Sequence, residues 1–209
     1  MQRKSLSALV VAAALALLSA ASLAQTATLT AEERDAALKH LQGTHDAFLQ
    51  SIFGLSEKQW RFKPAPGRWS VAEVAEHITI SESTLLGLVQ KQIMASPAAP
   101  DKRAEVKGKD EVVLTAVPDR SHKAQAPEFL KPTNRWATQA ELTKAFEEER
   151  KATMDYVKTS NDDLRDHFGP HPVLGTLDGY QWILLISAHS ERHTKQIAEV
   201  KADPNFPKE

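Results

Sequence analysis

Between residues 178 and 201, apolar side chains return every three or four positions: Trp182, Leu185, Ile186, Ile197 and Val200. That period belongs to a helix with one buried face. Three further segments repeat it. Residues 30–53 carry Leu38, Leu41, His45, Phe48 and Ile52 on one stripe. Residues 71–95 carry Val71, Val74, Ile78, Leu85, Leu88 and Gln92, and residues 138–159 carry Leu142, Ala145, Phe146, Glu149, Thr153 and Tyr156. Thr30 with Glu33, and Ser70 with Glu73, form capping boxes at two of the starts. Pro97 and Pro100 stop the second segment, and Pro204 lies just past the fourth. A helix with one apolar stripe must bury it against another, so the expected class is all-α, a four-helix bundle.

Connection lengths constrain the topology. About 40 residues separate the second and third helices, far more than the roughly 2–8 that join antiparallel neighbours. A crossover of that length predicts that helices two and three run parallel. Residues 102–116 within it are expected to add a short helix. Residues 112–117 are also the best strand candidate in the chain, short and isolated. Residues 54–69, with Pro64, Pro66 and Gly67, form the first loop.

The first 24 residues are expected to lie outside the fold. Arg3 and Lys4 precede an apolar run, residues 6–18, too short to span a bilayer comfortably. Ser22, Leu23 and Ala24 then present small residues at the positions a signal peptidase reads, which predicts cleavage before Gln25. The expectation is an exported bacterial protein, periplasmic or secreted, with residues 25–209 as a single domain. No membrane association is expected after cleavage; a retained N-terminal anchor is the alternative. The formal net charge of -1 gives no reason to invoke nucleic acid. The chain has no cysteine, which removes disulfides, thiolate ligands and cysteine nucleophiles.

Two histidines interrupt the apolar seam of the fourth helix. His189 and His193 stand four apart, so both imidazoles share one face about one turn apart. Zinc proteases place histidines at this spacing with a glutamate after the first, and here Ser190 occupies that position. Buried hydrogen-bonded histidines share the pattern, and His167 with His171 repeats it by chance. On a core stripe, though, an unpartnered ring costs about 1–3 kcal/mol, which a shared metal removes. His77 sits at the edge of the second helix's apolar face. If those two helices are neighbours, three imidazoles converge as in an open zinc site.

Trp69-Ser70-Val71-Ala72-Glu73-Val74-Ala75-Glu76-His77-Ile78 resembles the first signature of the DinB superfamily, and Ala188-His189-Ser190-Glu191-Arg192-His193-Thr194-Lys195-Gln196-Ile197 its second. His171-Pro172-Val173-Leu174-Gly175 is similar to the loop that enters the last helix in many members. The resemblance covers essentially the whole chain after the leader. It implies a four-helix bundle with a long second-to-third crossover, and one divalent metal held by His77, His189 and His193. It also implies metal-dependent transferases or isomerases that use small thiols, and an exported chain departs from those cytosolic thiol users; the expected function is a metal-dependent hydrolase or small-molecule transferase.

An ion on three imidazoles lowers the pKa of its bound water towards about 7. Zinc and nickel lead as the metal, with iron, copper and manganese open. The partner is then a small-molecule substrate or ligand. A base is also needed: Glu73, one turn before His77, is the first candidate, although its capping partnership with Ser70 competes. Glu149 is a weaker candidate. Glu76 and Glu191 are expected to face solvent or orient a histidine. His45 is expected as a core histidine, with a fourth ligand as the alternative. Trp60, Trp69 and Trp182 are expected to pack around the bundle mouth. A non-catalytic metal- or ligand-binding module is the competing function, and a metal-free helical protein the third. The sequence leaves a homodimer open.

Overall fold

The computed structural model describes residues 28–122 and 125–208. The expected leader, residues 1–24, lies outside them. The α-helices of the described residues are α1 (Ala31–Ile52), α2 (Glu57–Arg61), α3 (Val71–Leu88), α4 (Lys109–Ala116), α5 (Gln139–Thr159) and α6 (Gly179–Lys201). Four of them, α1, α3, α5 and α6, are the long helices expected from the apolar stripes. Each opens on a complete capping box: Thr30 with Glu33, Ser70 with Glu73, Thr138 with Glu141, and Asp178 with Gln181. The cap side chains accept N–H groups that the helix itself cannot satisfy.

In the bundle α1 packs on α5 and α6, and α3 packs on the same two. The core clusters fix the directions. One cluster joins Ala37 and Leu41 near the start of α1 to Leu86 at the end of α3, Val157 at the end of α5, and Ile183 and Leu184 near the start of α6. The other joins Phe48 and Ile52, Val71 and Val74, Leu142 and Phe146, and Ile197 and Val200. Thus α3 and α5 run parallel to each other and antiparallel to α1 and α6. The long crossover has the consequence expected of it.

Three local differences from the sequence reading stand out. The second helix does not continue as a regular α-helix beyond Leu88; a single π-helical turn, Val89–Ile93, follows, and Met94 N–H donates to the Val89 carbonyl at 2.9 Å. Residues 112–117, the strand candidate, belong largely to helix α4, the short helix expected within residues 102–116. Among the described residues no strand runs beside them to accept ladder bonds, Asp110 and Glu111 favour a helix N-terminus, and α4 packs on α6 with Val113 buried. The described strands lie elsewhere. β1 (Phe168–His171) and β2 (Gly175–Asp178) form an antiparallel hairpin whose turn is the loop read at residues 171–175. At four residues each they are too short to show alternation. Gly175 turns the hairpin with φ 70°, where a side chain would be strained.

The hairpin delivers the chain to Asp178, the cap of α6. Arg165 pins this junction by pairing with Glu33 at 2.8 Å, Asp110 at 2.7 Å and Asp178 at 2.9 Å. One guanidinium thereby ties the start of α1, the crossover and the start of α6. Among the described residues, no helix is long and apolar enough to cross a membrane.

Candidate metal centre

Because α3 and α6 are neighbours, His77 from one meets His189 and His193 from the other. His77 Nε2 lies 3.2 Å from His189 Nε2 and 3.2 Å from His193 Nε2. The three rings are tilted against one another with centroids 4.4–4.9 Å apart. Among the described residues, this is the group whose ligand atoms converge closely enough to share a metal ion.

The outer nitrogens decide what the inner ones present. His77 Nδ1 stands 2.8 Å from the Leu130 carbonyl oxygen. A carbonyl only accepts, so Nδ1 carries the proton and Nε2 keeps its lone pair. His193 Nδ1 is 2.7 Å from Gln196 Oε1, and Arg120 Nη1 also donates toward that oxygen at 3.5 Å. A guanidinium only donates, so the atom it faces is the amide oxygen; that oxygen only accepts, so His193 Nδ1 carries the proton and its Nε2 turns a lone pair inward. Two lone pairs held 3.2 Å apart repel unless a cation or proton lies between them. Metal–nitrogen bonds of about 2.0–2.1 Å in a tetrahedral shell separate the nitrogens by roughly 3.3 Å. The donor set fits a single divalent ion.

Burial also keeps the rings in the metal-ready state. It holds the pKa of His77 below its ordinary value and that of His189 well below, with the neighbouring imidazoles adding to the second effect. The same desolvation pushes His193 down to about 3. All three rings are therefore neutral at physiological pH without a metal, as ligation requires.

The other expected residues divide. Glu73 lies one turn before His77 as read. Its Oε2 accepts the Ser70 N–H at 2.8 Å, and its Oε1 accepts from Lys63 Nζ at 2.7 Å. His45 stays out of the three-histidine group: it bonds Asp46 and stacks on Phe146, as a satisfied histidine on the α1–α5 side. Glu76 is not solvated and does not orient a histidine. It is 4% exposed and accepts the backbone N–H groups of Thr133, Asn134 and Arg135, at 2.7, 2.9 and 3.2 Å. That carboxylate holds the end of the crossover just after Leu130, whose carbonyl orients His77. Glu191 faces outward and pairs with Lys195. Glu149 is half-buried with its pKa raised, burial being the main cause and Glu82 a second. Of the tryptophans, Trp69 stands 5.0 Å from the His77 ring; Trp60 is in the core, and Trp182 packs on His171.

Gln196 and the Leu130 carbonyl are the functional groups that sequence reasoning missed. Gln196 has a signal, since it stands three residues after His193 on the same face. A backbone carbonyl donated by a distant loop has none.

Comparison with known proteins follows the same lines. The sequence model of the DinB superfamily matches residues 40–197. Among curated proteins, uncharacterized protein YuaE of Bacillus subtilis (strain 168) is 26% identical over 148 residues, covering 71% of this chain and 86% of YuaE. Among solved structures, YfiT from Bacillus subtilis superposes with a TM-score of 0.54 at 14% identity, covering 87% of this chain and 93% of YfiT. YfiT is described as a probable metal-dependent hydrolase with an unusual four-helix bundle topology. At that identity the likeness bears on the fold.

Proposed function

The chain belongs to the DinB superfamily, and on that premise we propose that it is a metal-dependent hydrolase whose divalent ion is held by His77, His189 and His193. One observation carries the reading: lone-pair-bearing Nε2 atoms from two helices point at a common position, at spacings suited to one ion. The description of YfiT as a probable metal-dependent hydrolase supports the reaction class. A divalent ion on three imidazoles supplies Lewis acidity and a water nucleophile usable near neutral pH.

The chain's own residues supply the rest. The Leu130 carbonyl and Gln196 fix which nitrogen of His77 and His193 faces inward. Glu73 is the proposed base, and it must leave Lys63 to accept a proton. Glu73→Gln preserves a capping partner for Ser70, so it should keep fold and metal while losing turnover. Transfer to a small thiol is the alternative chemistry for the same ligands. Export belongs to the proposal as well, resting on the pattern of residues 1–24. A mass measured on protein recovered outside the cytoplasm should correspond to a chain starting at Gln25.

The test compares metal-loaded protein, chelated protein and a His189→Ala, His193→Ala double variant on a panel of nitrophenyl esters and anilides. The loaded parent should hydrolyse members of the panel, and the other two should not. Equal rates with and without metal overturn the proposal. Bound metal with no turnover across the panel leaves a metal-binding module in its place.

A further inference from the structure

A second polar constellation lies fully inside the bundle. Arg150 on α5 is 0% exposed and Glu82 on α3 is 1% exposed. The Arg150 fork meets every long helix. Its Nε donates to Glu82 Oε2 at 3.0 Å, and Nη2 donates to Glu82 Oε1 and to Ser190 Oγ on α6. Its Nη1 donates to Thr44 Oγ1 at 2.8 Å and to the Leu41 carbonyl, both on α1. The network closes on itself, since Ser190 Oγ is 3.1 Å from Glu82 Oε1 and Thr153 Oγ1 is 3.4 Å from Glu82 Oε2. All five guanidinium N–H groups have a partner.

Such a network is weak evidence for stability, because apolar residues of similar volume often serve as well or better. Its best-attested use is to select one register, since every other sliding position of the helices leaves a buried charge unpaired. Here the register has a chemical consequence. Ser190 follows His189 directly and precedes His193 by one turn. Glu82 lies five residues past His77, and Ser81 Oγ donates to the His77 carbonyl at 2.7 Å. The relative height of α3 and α6 at Glu82 and Ser190 therefore sets the height at which His77 meets His189 and His193. Ligand sites tolerate only about 0.5 Å of error.

We infer that the Glu82–Arg150–Ser190 network is a positioning device for the metal centre: it locks α3 against α6 at the register that brings the three imidazole nitrogens together. The inference rests on the metal reading above and adds residues that touch neither ion nor substrate. It separates the ties by helix. The tie through Ser190 reaches the helix that carries two ligands, whereas the tie through Thr44 reaches α1, which carries none of the three.

Zinc affinity is measured by chelator competition, with visible bands of the cobalt(II) form reporting the ligand geometry, in the full chain and three variants. Ser190→Ala should weaken zinc binding about 10- to 100-fold, the range typical of outer-shell groups, and should shift the cobalt bands. Thr44→Val should lower the melting temperature yet keep parental affinity and bands. Glu82→Leu with Arg150→Met should retain helical circular dichroism and lose at least as much affinity as Ser190→Ala. If that double variant fails to fold, the contrast between Ser190→Ala and Thr44→Val still decides. Ser190→Ala with the parental affinity and bands overturns this inference alone, as does an equal loss in Thr44→Val. A parent that binds no zinc overturns the metal reading and this inference with it.

Discussion

In the metal-free protein, acid should unfold the bundle through its own ligands. Burial keeps His77 and His189 below their ordinary pKa, and holds His193 at about 3. In the unfolded chain each imidazole titrates near 6.5. Below that pH the unfolded state binds more protons than the native state, so stability falls as pH falls. The contribution is fully present above about pH 6.5 and is lost progressively towards the depressed native values. One histidine kept neutral over the 1.5 units from pH 6.5 to 5.0 costs about 2 kcal/mol, at about 1.4 kcal/mol per unit. His193, held at about 3, carries that cost in full, and the lowered values of His77 and His189 act in the same direction. The expected loss is then about 2 kcal/mol or more. Urea unfolding in the presence of chelator, at pH 5.0 to 7.5, measures it in the parent and in His193→Gln. The variant should lose about 2 kcal/mol less over that interval. A stability independent of pH, or identical slopes for the two proteins, would refute the reasoning.

Three other outcomes are expected. Gln196→Ala frees His193 Nδ1 and should weaken zinc binding about 10- to 100-fold by calorimetry, with little change in helical content. Glu76→Ala removes the acceptor for three backbone N–H groups at residues 133–135 and should destabilise the protein by about 2–3 kcal/mol in denaturant. Gly179→Ala places a methyl 2.9 Å from the Leu164 carbonyl oxygen and should cost about 1–3 kcal/mol by the same measurement.

The bundle was legible because its evidence is periodic and local. Four apolar stripes, two capping boxes and one overlong connection lead to four long helices with α3 and α5 parallel. The three-histidine cluster was legible for a related reason: histidines on a core stripe are anomalous, and His189 with His193 share a face by spacing alone. What escaped depends on contacts distant in sequence. Val112, Val113 and Val117 suit a strand by residue type as well as the short helix read within residues 102–116, and the packing of α4 on α6 decides between the two. Glu76 reads as a surface residue until the crossover folds back to lay three N–H groups on it. The Leu130 carbonyl leaves no trace in a side-chain pattern. Glu82 and Arg150 lie 68 positions apart, and no local rule pairs them.

The account stands on three imidazoles sharing one cation. X-ray absorption at the zinc edge of the reconstituted full chain addresses that directly. The account predicts one zinc per chain with three imidazole nitrogens at about 2.0–2.1 Å. A spectrum with fewer than three imidazoles, or a protein that retains no zinc, would contradict it.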